Sequence, residues 1–159
     1  MVVTEAFGRV LLGRSTGGMW DPPGSRIETG EHAPTAAVRG LNEGTGLAAS
    51  VDDAHVITVL HDDRLDVRRV TAVVSVSRWE GEFALPEPHR FVRWEFHDLK
   101  TLATFGKIFA SSAAALIAVW PGVLPGLPPV HSYPCSVAVP PVPESRPRRS
   151  GCANGWRTS

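Results

Sequence analysis

One stretch constrains the fold of this chain more than any other: GSRIETGEHAPTAAVRGLNEGTGL, from Gly24 to Leu47. Its block from Pro34 to Glu43 reads as a helix. Pro34 suits a first helical turn, where the N–H it lacks would have no partner anyway, and Gly46 suits a helix end. Between them Ala37, Val38 and Leu41 fall at near-helical spacing and mark a buried face. Positions 40, 43 and 44 also have the i, i+3, i+4 spacing that puts side chains on one face. Only the middle one carries a charge there, because Glu43 stands between Gly40 and Gly44.

Around this helix the chain alternates in character. Met1 to Ala6 and Arg9 to Gly13 read as strands joined by a turn at Phe7-Gly8. His55 to His61, the valine-rich run Val67 to Trp79, and Phe91 to Phe96 read as further strands. Ser111 or Ser112 is placed to cap a second helix that runs through Val119 and stops at Pro121. Strands interleaved with two helices indicate a single α/β domain over residues 1–120. Composition then shifts, since nine of the fourteen prolines lie from Pro121 onward. Residues 121–159 show no helical or alternating period and read as an extended or disordered tail. Its first part carries Val123, Leu124, Leu127, Val130 and Tyr133, which would lie against the domain or a partner; the part from Pro143 reads as free.

Sixteen basic residues balance sixteen acidic ones, so no basic excess points to a nucleic-acid partner. No apolar run is long enough to span a bilayer, and no basic segment followed by an apolar run opens the chain. Cys135 and Cys152 have no metal-type spacing and read as thiols in a reducing cytoplasm.

The Gly24–Leu47 stretch resembles the Nudix box, whose pattern is G-x5-E-x7-R-E-U-x-E-E-x-G-U, with U a bulky aliphatic residue. Glu31, Arg39, Leu41, Glu43, Gly46 and Leu47 match; Ser25 replaces a glycine, and Gly40 and Gly44 replace glutamates. The resemblance extends over residues 1–120. Upstream, GRVLLGRSTGGMWDPPG is similar to a family segment ending W-x-L-P-G-G, with Pro22 at the leucine. Downstream, RWEGEFALPEPHRFVRWEFHDL is similar to the segment after the central strands of MutT-like members. The implied architecture is a Nudix fold, a mixed β-sheet sandwiched between helices (α/β/α). The implied activity is Mg²⁺- (or Mn²⁺-) assisted cleavage of the diphosphate in a nucleoside diphosphate derivative. Mg²⁺ is a hard ion that prefers oxygen ligands, and such metals neutralise a diphosphate and activate water.

Carried over residue by residue, the resemblance makes Gly24 (through its carbonyl), Glu43 and Glu87 metal ligands. Glu31 becomes the first box glutamate, Glu28 a member of its loop, and Arg39 the residue that fixes loop to helix without touching substrate. Gly40 and Gly44 remove the base and ligand carboxylates, and loss of a general base alone lowers rate by about 10²–10⁴-fold. Weak hydrolysis is therefore the leading expectation. Trp20 and Trp94 are candidates to stack a nucleobase and Arg14 to meet a phosphate, against the plainer roles of core rings and a solvated strand-end arginine. His89 is the one histidine near Glu87. Two other readings stand beside the enzyme. One is a catalytically silent module that binds a nucleotide or a protein. The other is a piece of a longer chain of the methyltransferase–Nudix type, whose end VWPGVLPGLPPVHSYPC resembles. A homodimer is compatible with each reading.

Overall fold

Side chains on a β-strand point alternately to opposite faces, and here that alternation sorts the apolar residues into two cores. Val10 and Leu12 belong to one, and Leu11 between them belongs to the other; Val2 and Val3 divide the same way, as do Val73 and Val74. The structure, a computed structural model, describes residues 1–5, 8–62, 69–104, 106–127, 130 and 132–135. The turn residue Phe7, the first residues of the valine-rich run, Cys152 and the segment from Pro143 lie outside them.

Seven strands form two sheets among these residues. Strands β1 (Val2–Val3), β5 (Arg69–Val76), β4 (Ala54–Asp62) and β7 (Ser132–Pro134) lie side by side in the order β1-β5-β4-β7. β1 runs parallel to β5 and the other pairs are antiparallel, so this sheet is mixed. Strands β3 (Trp20–Asp21), β2 (Arg9–Ser15) and β6 (Phe91–Asp98) make an antiparallel sheet in the order β3-β2-β6. Helix α1 (Ala33–Thr45) places Ala37 and Leu41 in the core that holds Val3, Leu11 and Trp94. Helix α2 (Ala110–Val119) places Ala115, Leu116 and Val119 in the core that holds Val2, Leu12 and Trp20. The helices therefore serve opposite cores, which is the expected α/β/α layering.

The ends of α1 follow from its sequence. Pro34 stands in its first turn, and Gly46 caps it at φ 79°, with its N–H donating to the Asn42 carbonyl at 2.9 Å. That left-handed conformation favours glycine, and a Cβ there would lie only 2.8 Å from the Ala84 methyl. The start of α2 differs from expectation. Phe109 occupies the cap position without a side-chain bond, and the Ser112 hydroxyl instead donates to the Asp21 carboxylate. This cross-link ties α2 to β3, at the entry to the box.

Part of the proline-rich segment is docked on the domain. Ser132, Tyr133 and Pro134 pair with Leu60, Val59 and Thr58 of β4, and the Cys135 N–H donates to the Ile57 carbonyl at 3.0 Å. Val123, Leu124 and Val130 pack on the α2 core, while Leu127 and Tyr133 stay exposed. Among the described residues no helix is long and apolar enough to cross a membrane.

Candidate active site

Arg39 organises the box. Its Nε and Nη2 donate to the two oxygens of Glu31 at 3.0 and 2.9 Å, a bidentate pair. Nη2 also donates to the Arg26 carbonyl at 2.9 Å, and Nη1 donates to Glu43 Oε2 at 2.9 Å. Glu28 Oε1 lies 3.8 Å from Nη1. A planar guanidinium with five N–H donors suits this multiple engagement. The Glu31 carboxyl is held down to about 2, first by its bonds to Arg39 and then by the Glu28 N–H; the same pairing raises the pKa of Arg39. One side chain thus joins the loop before α1 to the second half of that helix.

The face defined by positions 40, 43 and 44 opens on a cavity of about 450 Å³, which Gly24, Glu87 and Trp94 also line. Glu87 begins the turn before β6, where its carbonyl accepts the N–H groups of Arg90 and Phe91 at 2.9 and 3.1 Å. Its carboxylate receives Arg90 Nη1 at 2.9 Å. Gly24, Glu43 and Glu87 are thus brought to one cleft, with each carboxylate bound to an arginine.

Gly40 and Ser25 occupy a single space. A Cβ at position 40 would stand 2.5 Å from both the Cβ and the Oγ of Ser25. The Ser25 hydroxyl is anchored there by donating to the Ala36 carbonyl at 2.7 Å. Serine at this loop position is therefore bonded and fitted, and its exchange is coupled to the one at position 40. Gly44 differs, because a Cβ there would make an ordinary 3.9 Å contact with Trp94.

A second cavity, of about 540 Å³, shares Pro23, Gly24, Ser25, Arg26, Arg90 and Phe91 with the first. Beyond that common wall it is lined by Asp21, Arg69, Thr71, Ser111 and Ser112. Burial raises the pKa of Asp21, opposed by the bond from Ser112 and the charge of Arg90. Sequence reasoning missed Asp21, Arg26, Arg69 and Arg90. Arg26 and Arg90 had signals, one inside the Gly24–Leu47 stretch and one three residues after Glu87; Asp21 stands at an unspecified position of the W-x-L-P-G-G comparison, and nothing in the spacing of Arg69 brings β5 to the box.

The NUDIX domain family model matches residues 1–116, well over half of the chain. This chain belongs to the Nudix family. Solved Nudix-fold structures resemble it at low identity. The MutT NUDIX hydrolase from Burkholderia pseudomallei is 23% identical, with a TM-score of 0.59 over 72% of this chain and 93% of that one. The MutT protein from Methanosarcina mazei Go1 is 15% identical, with a TM-score of 0.60 over 74% and 86%. An Ap4A hydrolase from C. elegans, solved as a binary complex, is 15% identical, with a TM-score of 0.52 over 74% and 90%. These likenesses speak for the Nudix fold. No curated protein matches the chain.

Nudix family members are hydrolases that act on pyrophosphate bonds and generally use divalent metal ions. The side chains here fit such an ion poorly: two carboxylates face the cleft, each bound to an arginine through one oxygen. Among the described residues no three His, Cys, Asp or Glu side chains gather as a metal group. Positions 40 and 44 offer no oxygen, Ser25 fills the room at the first of them, and Glu43 and Glu87 are paired with Arg39 and Arg90.

The stacking role for Trp20 and Trp94 and the phosphate role for Arg14 give way to their plainer roles. Trp20 is 6% exposed, edge-on to His97 at 4.6 Å and with the Arg93 guanidinium 5.6 Å over its ring. Trp94 is also 6% exposed and packs against Phe91 at 4.5 Å; Gly13 passes so close that a Cβ there would lie 2.6 Å from its ring. Both are core residues, and Trp94 also forms a wall of the Nudix cleft. Arg14 is exposed on β2 opposite Arg93, outside both cavities. His89 is an exposed turn residue whose carbonyl accepts Thr16 Oγ1 at 3.4 Å.

Proposed function

We propose that this chain binds a nucleoside diphosphate derivative in the cleft between α1 and the Glu87 turn, and hydrolyses its diphosphate slowly. Family membership supplies the reaction class. The observation that carries the reading is the cleft itself: Gly24, Glu43 and Glu87 line it, but the helical carboxylate face is reduced to Glu43. What this chain's own residues supply is binding and orientation. Arg39 holds the loop on the helix, and the shared wall presents Arg26 and Arg90 to a ligand. No carboxylate stands at position 40 to take a proton from water, and such a loss lowers rate by about 10²–10⁴-fold. The same reading makes the partner a small molecule in the cytoplasm and leaves no part for nucleic acid or membrane.

A second reading, a silent nucleotide-binding module, is favoured by the arginine pairing of both cleft carboxylates. The two separate in one experiment. The protein is incubated with nucleoside triphosphates and diphosphate sugars in Mg²⁺ or Mn²⁺, and phosphate or pyrophosphate release is followed. The same is done for the triple variant Ser25→Gly, Gly40→Glu, Gly44→Glu, in which the serine is removed to make room. Slow release that rises about 10²-fold or more in the triple variant supports the enzyme. Nucleotide affinity without release supports the module. Neither affinity nor release in either protein sinks both.

A further inference from the structure

The two joined cavities are lined by Arg26, Arg39, Arg69 and Arg90 and by the carboxylates of Asp21, Glu43 and Glu87, with Glu31 behind Arg39. Every carboxylate is engaged. Glu43 is bound by Arg39, Glu87 by Arg90, and Asp21 by the Ser112 hydroxyl. Arg39 is itself taken up by Glu31 and Glu43. Arg26 and Arg69 are both exposed and have no ion-pair partner among the described residues. Arg26 stands at the wall common to both cavities, and its backbone is fixed by the bond from Arg39 to its carbonyl.

This balance has a chemical direction. A divalent cation here would have to compete with arginines, because Glu43 and Glu87 each give one oxygen to a guanidinium and positions 40 and 44 carry no carboxylate. A diphosphate needs uncompensated donors in fork geometry, which guanidinium groups provide. Glutamates at positions 40 and 44 would bring two more negative charges to the cleft that Arg26 lines. Glycine at both adds no carboxylate to oppose Arg26.

We propose that the cleft captures a diphosphate directly, through Arg26 with Arg90 and Arg69, without a divalent cation. The proposal rests on the reading of this cleft as a diphosphate site, and it replaces the ion implied by the family with the chain's own arginines. Arg26 meets the diphosphate where the cavities join. Arg90 reaches it from the Glu87 turn and Arg69 from the start of β5, leaving the second cavity for the group attached to the diphosphate.

Isothermal titration with inorganic pyrophosphate and with ADP, in EDTA and again in excess Mg²⁺, tests this on the full chain. The expected result is binding in EDTA that Mg²⁺ does not strengthen and that added salt weakens. Arg26→Gln weakens it by about tenfold or more, the scale of one lost charge-assisted contact. Arg78→Gln, an arginine outside both cavities, leaves it unchanged, and thermal melts confirm that each variant is folded. Pyrophosphate binding that requires Mg²⁺ overturns the proposal while leaving the proposed function standing. Binding in EDTA that survives Arg26→Gln combined with Arg69→Gln overturns it as well. Absence of binding in both buffers removes the diphosphate reading of the cleft, and the proposal with it.

Discussion

At position 40 the missing carboxylate and the serine across from it are one event in space. Helix propensity alone favours Gly40→Ala by about 1 kcal/mol. The 2.5 Å approach to the Ser25 Cβ opposes this, and no rotation about χ1 of either residue relieves a Cβ–Cβ clash. Overpacking of that kind costs about 1–3 kcal/mol, so Gly40→Ala should destabilise the protein. Ser25→Gly removes the obstruction, and in that background Gly40→Ala should be stabilising. Urea unfolding of the four proteins in the cycle measures the coupling, expected at about 1–3 kcal/mol; additive effects would show that the two sites do not share the space. Glu31 supports a pH prediction of the same local kind. Its folded pKa is near 2 against an ordinary 4.5, because Arg39 binds the carboxylate. A depressed carboxyl contributes stability that is fully present above the ordinary value and lost as pH falls through the folded one. The loop over residues 26–31 should therefore stay closed to well below pH 4.5 and open toward pH 2. In Arg39→Met the Glu31 titration should move up toward 4.5, as followed by carboxyl NMR. An unmoved midpoint would assign the shift to something other than Arg39.

At the level of the element, α1 contains two glycines whose replacement should have opposite signs. Gly44→Ala meets only an ordinary contact with Trp94, so the helix term of about 1 kcal/mol stands unopposed. The melting temperature should rise by about 2–4 °C, while Gly40→Ala lowers it; scanning calorimetry on both variants decides. Propensity read from sequence would give both the same sign, because it does not contain Ser25. The helix itself was legible, since Pro34 and Gly46 punctuate it and Ala37 and Leu41 mark its buried face. The clustering of positions 40, 43 and 44 was legible for the same reason, as a periodic element fixes which residues share a face. Strands β3 and β7 were not. Two and three residues are too few to show a period, and Pro134 in the second reads as a strand breaker unless the strand lies at an edge, where β7 does lie. For Trp20 and Trp94 the choice between stacking and core packing was not legible, because spacing along a strand does not say which ring faces are already covered. Ser112 was read as a cap, when its partner Asp21 stands on β3 and far away in sequence.

Over the whole molecule, the two cores are served unequally by the residues after Pro121. Val123, Leu124 and Val130 extend the core of α2, and β7 covers the edge of β4, so the folded unit does not end where the composition changes. The proline content that suggested an unstructured tail is compatible with this, because docking through a few apolar side chains and one short edge strand asks for no helical or alternating period. Truncation after Trp120 tests how much the docking matters. It removes three partly buried aliphatic side chains, each contributing about 1 kcal/mol at partial burial. It also leaves the β4 edge with unpaired backbone groups, a template for association with other chains. The expected loss is about 2–4 kcal/mol, equivalent to a fall of roughly 5–15 °C in melting temperature for a chain of this size. Aggregation of the truncated protein should steepen with concentration. The core of α1, which carries Gly40, Glu43 and Gly44, has none of these residues in it. Below its lowered melting temperature the truncated protein should therefore keep the Arg39–Glu31 pair and the low Glu31 titration that goes with it. A melting temperature unchanged to within a degree would mean that the segment after Trp120 contributes nothing to the fold. A Glu31 midpoint that rises on truncation would mean that the two cores are not independent.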